Sequence, residues 1–391
     1  MKFKAMAAAA AAALTLLSAA VSPFAAYAAV PSMPAVTLEI TAASKEDAAS
    51  QMRSALKAHQ TSFSVNFYYD GEKIDLKDMS GLMMYNACDE TGVGTEGDYL
   101  RFAIKRYKCN AKSSGNNYIL DYEVDYYTTP EEEERLTDEI NKLVESLDLA
   151  SLSDYAKIRV LYKYVTSNIT YSQNISDPYV YSAYCAVFNK HAVCQGITQL
   201  LYRLYNDNGI PCRIIAGKSH DYSEQNADGY HVWLIVKLNG SYYLLDPTWD
   251  LKYKGMTFHY FLKGSGDFDS DIPSLTHIAQ NDNGLSFPDY NSEAFRTKYP
   301  LNTSLYPEPV CTLGDISGNG SIDAVDASMI LMEYARLSAG RISSFTTSQY
   351  IYADVDHNGK SDAVDASKVL AYYAAKSSGN EQSLNDYIKS H

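Results

Sequence analysis

The sequence predicts an α+β protein that carries a small, separate all-α module at its C-terminal end. Three observations predict this. The first third alternates strand-like runs with an amphipathic helical pattern. Helical segments then lead into a tight hairpin. The C-terminal segment repeats one acidic loop, and a helical pattern follows each copy. Composition agrees: 46% hydrophobic and 20% charged residues is ordinary globular material, and 391 residues suit two to three domains.

The first element is not part of the fold. Met1-Lys2-Phe3-Lys4 precedes an apolar run rich in Ala and Leu to about Ala20, and Ala26-Tyr27-Ala28 forms a small-x-small exit. Residues 1–28 read as a secretory signal peptide, which predicts a secreted, extracellular protein. The run is shorter than the roughly 20 residues a membrane span needs, and no later segment is apolar enough for one. A formal charge of −14, more negative still without Lys2 and Lys4, repels nucleic acid and anionic lipid, so neither is an expected partner. The six cysteines are Cys88, Cys109, Cys185, Cys194, Cys212 and Cys311. Three disulfides are possible in an oxidising compartment, but the spacing shows no dense framework and a chain this long does not need one. Cys88 and Cys109 are a possible pair. If one cysteine is a nucleophile, the remaining five cannot all pair within the chain.

Residues 29–129 form an N-terminal α/β region. Ser44 to Gln60 reads as an amphipathic helix, with Ala48, Met52, Ala55 and Leu56 on one face. Phe63 to Tyr69, Tyr99 to Tyr107 and Tyr118 to Tyr127 read as strands. Their aromatic residues point to packing, with sugar stacking as the lesser alternative. Thr129-Pro130 opens an acidic helix whose Glu131 to Glu134 suit the positive end of the helix dipole. Ser153 caps a further helix from Asp154 to about Asn168.

The candidate chemistry lies in three segments. Cys194 opens a helix whose Leu200, Leu201, Leu204 and Tyr205 give an apolar face, and Asn208-Gly209 ends it. A thiol at a helix start meets partial positive charge and outward-pointing N–H groups, which favour the nucleophilic thiolate and could hold an oxyanion. Asn239-Gly240 lies between two apolar runs and predicts a two-residue hairpin in which Leu238 faces Ser241. Extending that register puts Asp246 opposite Trp233 and His231 opposite Thr248. His231, Trp233 and Asp246 then share one face. Diagonal neighbours sit roughly 7 Å apart, so the aspartate can reach the imidazole. Cys194, His231 and Asp246 are therefore candidates for nucleophile, base and orienter. The polar stretch from Gly217 to Gly229 reads as a loop lining the substrate cleft.

At the C-terminus, Asp315, Ser317, Asn319, Ser321, Asp323 and Asp326 stand at loop positions 1, 3, 5, 7, 9 and 12. Asp354, Asp356, Asn358, Lys360, Asp362 and Asp365 repeat them 39 residues later. Oxygen ligands at this spacing, with Gly at position 6, match a calcium loop, and position 7 contributes its carbonyl, so Lys360 is no obstacle. Ser317 is a weaker ligand than Asp356, which makes the first site the weaker. Two Ca2+ ions are expected. A helix follows each loop, and no entering helix is evident before either.

These motifs carry two resemblances. Val193-Cys194-Gln195-Gly196, Gly209-Ile210-Pro211-Cys212, His231-x-Trp233 and Asp246-Pro247-Thr248-Trp249-Asp250 resemble the secreted bacterial branch of the transglutaminase-like superfamily, related in fold to papain-type cysteine proteases. The likeness spans about residues 130–262. It implies a papain-like catalytic domain over 130–300, with Cys194 as nucleophile, His231 as general base and acid, and Asp246 as orienter. The family often has Ala-Trp-Asn after its histidine, where Val232, Trp233 and Leu234 stand here. The duplicated loop-helix resembles a type I dockerin module at 313–380, after a linker at 301–312. That resemblance implies docking onto a cohesin domain of a scaffolding protein, with Ala324-Val325 and Ala363-Val364 at two of the binding positions.

Together they imply a cellulosome-associated cysteine acyltransferase or peptidase acting on a protein or peptide substrate. The acyl donor is either a glutamine side chain, with an amine or water as acceptor, or a peptide bond. The alternative is a catalytically silent peptide- or glycan-binding component. A glycan-processing accessory finds no paired-carboxylate site.

Overall fold

The computed structural model describes residues 38–221, 229–280 and 286–391; the expected signal peptide lies outside the described residues. The chain divides into two compact units, one of Met1–Lys142 with Val165–Leu305, the other of Leu143–Tyr164 with Tyr306–His391.

The first unit holds two four-stranded sheets. Strand β1 (Leu38–Ala42) leads to helix α1 (Lys45–Lys57), which starts where Ser44 accepts from the Asp47 N–H and buries Ala48, Met52, Ala55 and Leu56. Strand β2 (Ser62–Tyr68) and helix α2 (Leu76–Ala87) follow. The stretch expected as a strand from Tyr99 is instead split. Gly97–Ala103 forms helix α3, and strand β3 begins only at Ile104 and runs to Ser114. Helix α3 is buried on every side. Seven residues are too few to show a helical period, and Tyr99, Leu100 and Phe102 suit a buried strand as well as a helix. Strand β4 (Asn117–Tyr126) completes a sheet of order β1-β2-β4-β3, in which only the β1–β2 pair is parallel.

Helices α4 (Pro130–Leu147) and α5 (Asp154–Asn168) start where expected, the second with Ser153 Oγ accepting from the Ala156 N–H. Strands β5 (Thr170–Tyr171) and β6 (His191–Ala192) pair in parallel on either side of helix α6 (Ala183–Phe188). Helix α7 (Cys194–Asn206) is buried at every residue and packs on strands β7 (Cys212–Asp221) and β8 (Gly229–Leu238). Gly209 ends the turn after α7 at φ 75°, a left-handed conformation that glycine adopts freely. Strand β8 turns through Asn239-Gly240, at φ 49° and 88°, into strand β9 (Ser241–Leu245). Left-handed backbone at both turn residues is the two-residue geometry expected of Asn-Gly. The register is the one the turn dictates, with Leu238 facing Ser241 and Leu234 facing Leu245.

Two hairpin expectations change. Helix α8 (Pro247–Asp250) begins just past β9, so Thr248 is helical and His231 has no strand partner on that side. The stretch from Gly217 is not all loop either. Residues Gly217 to Asp221 extend β7 and pair with strand β10 (Leu275–Ala279), while residues 222–228 lie outside the described ones. The second sheet runs β10-β7-β8-β9, all antiparallel, and helix α9 (Glu293–Lys298) follows β10 in the chain.

A buried ion cluster joins helix α3 to this sheet. Asp98 accepts from Arg213 Nε at 2.7 Å and Nη2 at 3.1 Å, and from the Ile214 N–H at 2.9 Å. Glu90 lies 3.2 Å from Arg213 Nε. All six cysteines are free, so Cys88 and Cys109 form no pair.

In the second unit, helices α10 (Ala324–Ser338) and α12 (Ala363–Ser377) pack together. Their core is itself duplicated: Ile316, Ala327 and Ile330 recur as Val355, Ala366 and Val369, each 39 positions on. Helices α11 (Thr347–Ala353) and α13 (Leu384–Ser390) complete it. Helix α11 corrects one expectation, because it enters the second loop directly and Asp354 is its C-cap residue. At seven residues it is too short to show a periodic stripe.

Candidate active site

Cys194, His231 and Asp246 meet at one end of the α7–β8–β9 layer. Cys194 is the first residue of α7, with Val193 as N-cap in extended backbone. The close approach beneath it requires glycine: a Cβ on Gly196 would stand 2.6 Å from the Ser182 carbonyl oxygen and 2.9 Å from that of Val180. Gln195 anchors the same turn, its Nε2 donating to the Phe102 carbonyl at 2.9 Å and the Tyr181 carbonyl at 3.2 Å. That side chain is committed to the scaffold. The first-turn N–H groups of the helix point out of its end, where a developing oxyanion would need donors.

His231 Nε2 lies 2.9 Å from Asp246 Oδ2, and the Cys194 side chain hydrogen-bonds to the same imidazole. With Nε2 given to the aspartate, Nδ1 is the nitrogen left for the thiol. Trp249 stacks on the imidazole at 5.2 Å between centroids, and Trp233 at 6.0 Å. All three polar residues are buried: Cys194 is 5% exposed, His231 2% and Asp246 0%. Burial opposes charging of His231, but the Asp246 carboxylate and the hydrogen bonds from Asp246 and Cys194 outweigh it, raising its pKa from 6.5 to about 10. Burial likewise opposes ionisation of Asp246. The His231 charge and the donors His231 and His277 overcome that and hold its carboxyl well below the ordinary range.

The carboxylate is fixed at both oxygens. Asp246 Oδ1 accepts from the Thr248 N–H at 2.8 Å and the Trp249 N–H at 3.2 Å, capping helix α8. Asp250, fully buried, accepts from the His259 and Tyr260 N–H groups and so holds the following segment. Tyr171 and Tyr181 lie close enough to Cys194 to feel its charge.

One residue here escaped the sequence. His277, in β10, places Nε2 3.2 Å from the same Asp246 Oδ2. It follows an irregular segment and carries no motif or turn signal. Only the pairing of β10 with β7 brings it to the site.

The other five thiols are passive. Burial pushes Cys88 up to about 11 and Cys109 up to about 12, and it raises Cys185, Cys212 and Cys311 as well.

The two C-terminal loops are built alike. Asp315 accepts from the Gly318, Asn319 and Gly320 N–H groups, and Asp354 from those of Asn358 and Gly359. Asp326 and Asp365 each bind two loop N–H groups through Oδ1, while Oδ2 closes a capping box with Asp323 and Asp362 respectively. Asn319 and Asn358 turn their side-chain oxygens to the Ser321 and Lys360 N–H groups. In the second loop Asp354, Asp356 and Asp365 gather their carboxylates within 4.8 Å. Among the described residues no such cluster forms at the first loop, where Ser317 replaces the aspartate. Burial, with the neighbouring Asp356 and Asp354 charges, raises Asp365. Such a donor set suits a hard cation with oxygen ligands.

The fold and this site define an α+β protein in which a histidine and an aspartate meet a cysteine at the start of a buried helix. Residues 141–247 match the sequence profile of the transglutaminase-like superfamily, and residues 313–372 that of the type I dockerin domain. The chain thus carries one segment similar to a transglutaminase-like core and another similar to a type I dockerin, a module class that generally binds calcium. A search of curated proteins finds no match. Among solved structures, one described as a TGase is 16% identical, covering 54% of this chain and 59% of that one, with a TM-score of 0.26. A candidate cysteine protease from Cytophaga hutchinsonii is 15% identical, covering 44% of this chain and 71% of its own, with a TM-score of 0.25. A candidate protease from Parabacteroides distasonis is 11% identical, covering 58% and 43%, with a TM-score of 0.25. No helix among the described residues is long and apolar enough to cross a membrane.

Proposed function

We propose that the protein is a secreted cysteine acyltransferase or hydrolase acting on protein amide bonds, held on a scaffold by its dockerin. The observation that carries this is His231 Nε2 at 2.9 Å from Asp246 Oδ2, with Cys194 hydrogen-bonded to the same ring at a helix start. The Cys194 sulfur attacks the amide carbonyl carbon, and His231 takes the thiol proton. A C–S bond forms and the carbonyl oxygen becomes an oxyanion beside the first-turn N–H groups of α7. The C–N bond then breaks, and His231 gives its proton to the departing nitrogen. Water or an amine attacks the thioester carbon and gives a proton to His231; the C–S bond breaks, the acyl group leaves on the new oxygen or nitrogen, and the Cys194 sulfur departs as a thiolate paired with the His231 imidazolium. Asp246 stabilises the imidazolium in both halves, and the indoles of Trp233 and Trp249 keep water from the ring.

In the C-terminal loops, Asp315, Ser317, Asn319, Ser321, Asp323 and Asp326 would hold one Ca2+, and Asp354, Asp356, Asn358, Lys360, Asp362 and Asp365 a second. The charge each supplies offsets the repulsion among gathered carboxylates. A cohesin domain of a scaffold protein is the partner this module fits. The matched Ala324-Val325 and Ala363-Val364 pairs, with Val325 and Val364 half exposed, offer two equivalent apolar contacts.

Mass spectrometry of glutamine-containing peptides, with and without an added amine, separates crosslinking, deamidation and cleavage. An amide-directed thiol probe should label wild type and not Cys194→Ala. Equal labelling of both overturns the reading of the site. Cohesin capture should disappear with chelator; calcium-independent capture counts against the docking role.

A further inference from the structure

The Asp246 carboxylate serves two imidazoles. Its Oδ2 faces His231 Nε2 at 2.9 Å and His277 Nε2 at 3.2 Å, and the two rings lie 5.5 Å apart. The second histidine is itself held. Asp269 Oδ1 lies 2.6 Å from His277 Nδ1, and Asp269 Oδ2 accepts from the His277 backbone N–H at 3.1 Å. Phe268 stacks on the ring at 4.2 Å, Trp249 tilts over it at 4.1 Å, and the Trp233 and Tyr260 rings stand edge-on at 4.9 and 5.7 Å. The His277 side chain is 2% exposed. Close packing, an anchored backbone and a carboxylate at each ring nitrogen fix one orientation, and that orientation aims Nε2–H at the oxygen His231 uses. The functional reading gives this second dyad no task.

We propose that His277, anchored by Asp269, is a positioning residue that shares the Asp246 carboxylate with His231 and so limits how tightly His231 keeps its proton. The inference rests on the reading of Cys194, His231 and Asp246 as the reacting set. Its sign does not depend on the charge of His277. As a neutral donor, His277 draws electron density from Oδ2 and makes it a poorer acceptor for His231. As a cation, it adds a like charge beside the His231 imidazolium. Both effects favour release of the His231 proton, which is the step that frees the leaving nitrogen. Because the two backbone donors on Oδ1 already fix the carboxylate, His277 acts through charge and hydrogen bonding more than by holding Asp246 in place. Among the described residues, the ionisable groups around the two rings are Asp246, Asp269, Tyr260, Cys194 and, beside the thiol, Tyr171 and Tyr181.

The test is the pH profile of iodoacetamide alkylation at Cys194 in the full chain, read by mass spectrometry of the Cys194 peptide. No substrate is needed, and the reaction forms an S–C bond with loss of iodide. Between the pH at which the thiolate–imidazolium pair forms and the pH at which it loses the His231 proton, the rate is flat. His277→Phe keeps an aromatic ring without the donor and should move the upper inflection upward by about one pH unit, the lower end of a close-charge effect. His277→Gln restores a neutral N–H toward Asp246 and should give a smaller upward shift. A merely structural role would change stability and leave the inflection in place. An unchanged or lowered inflection in folded His277→Phe overturns the inference. If that variant does not fold, His277→Leu, which also lacks the donor, decides, with no upward shift overturning it. If wild type shows no plateau at Cys194, the reading of the reacting set falls and this inference with it. A wild-type plateau with unshifted variants sinks the inference alone.

Discussion

Both units are organised by buried aspartates that accept backbone N–H groups, yet their charges are balanced differently. In the transglutaminase-like core, Asp246 has both oxygens taken by the protein: two helix N–H groups on one, two imidazoles on the other. In the dockerin, Asp365 has N–H donors on both oxygens and still lies among like charges, with Asp354 and Asp356 within 4.8 Å. The first carboxylate is complete without a ligand and can work on a neighbour. The second is positioned by the protein but leaves net negative charge for a cation to offset. Lys368 Nζ does donate to Asp356 Oδ2 at 2.9 Å, but one ammonium among three carboxylates leaves the loop suited to a cation, where Asp246 is suited to orient a neighbour.

Four substitutions press on that contrast. The largest effect is expected for Asp246→Asn, which keeps the shape and removes the charge. Acyl transfer should fall by roughly 10³–10⁴-fold, the scale of losing the aspartate from such a triad, measured as kcat/KM on the best substrate that the peptide mass spectrometry identifies. If the loss stays within tenfold, Asp246 is a cap and not an orienter. Next is Asp365→Ala. It removes three accepted N–H groups and a metal oxygen, so the C-terminal unit should lose about 2–4 kcal/mol by chemical unfolding with calcium present. An undiminished midpoint would mean the capping box contributes little.

A third carboxylate sits between these cases. Glu90 shares Arg213 with Asp98, but Arg213 Nε is nearer Asp98, at 2.7 Å against 3.2 Å. Burial first, then the Asp98 charge, raise Glu90 from 4.5 to about 8. A carboxyl raised in the fold contributes stability that is fully present below its ordinary value and is lost as pH climbs through the folded one. Wild type should therefore lose stability from about pH 4.5 to 8, and Glu90→Gln should lose less, melting a few degrees higher at pH 8.5. Parallel pH curves for the two proteins would break the assignment. The smallest effect is Ser317→Asp. Completing the first loop in the image of the second should tighten its calcium binding by roughly tenfold by calorimetry, with the second site unmoved.

Legibility in the sequence followed locality. The hairpin register was readable because Asn239-Gly240 fixes it within two residues, and the helix opened by Cys194 because its apolar spacing and terminal glycine are contiguous. The two acidic loops were readable because every residue of each motif falls within twelve positions. Helices α3 and α11 were hidden because seven residues are too few to show a period. His277 was hidden for a different reason. It reaches Asp246 from 31 residues away through a strand pairing that no local pattern announces.

The six free thiols carry a practical consequence. The fold described here contains no bridge for a reductant to open, and burial holds five of the thiols in their unreactive form. The protein can therefore be produced in a reducing cytoplasm and assayed under dithiothreitol without disturbing its architecture. Brief treatment with a thiol-specific reagent, read by mass spectrometry at the Cys194 peptide, then becomes a titration of that site before any substrate is known.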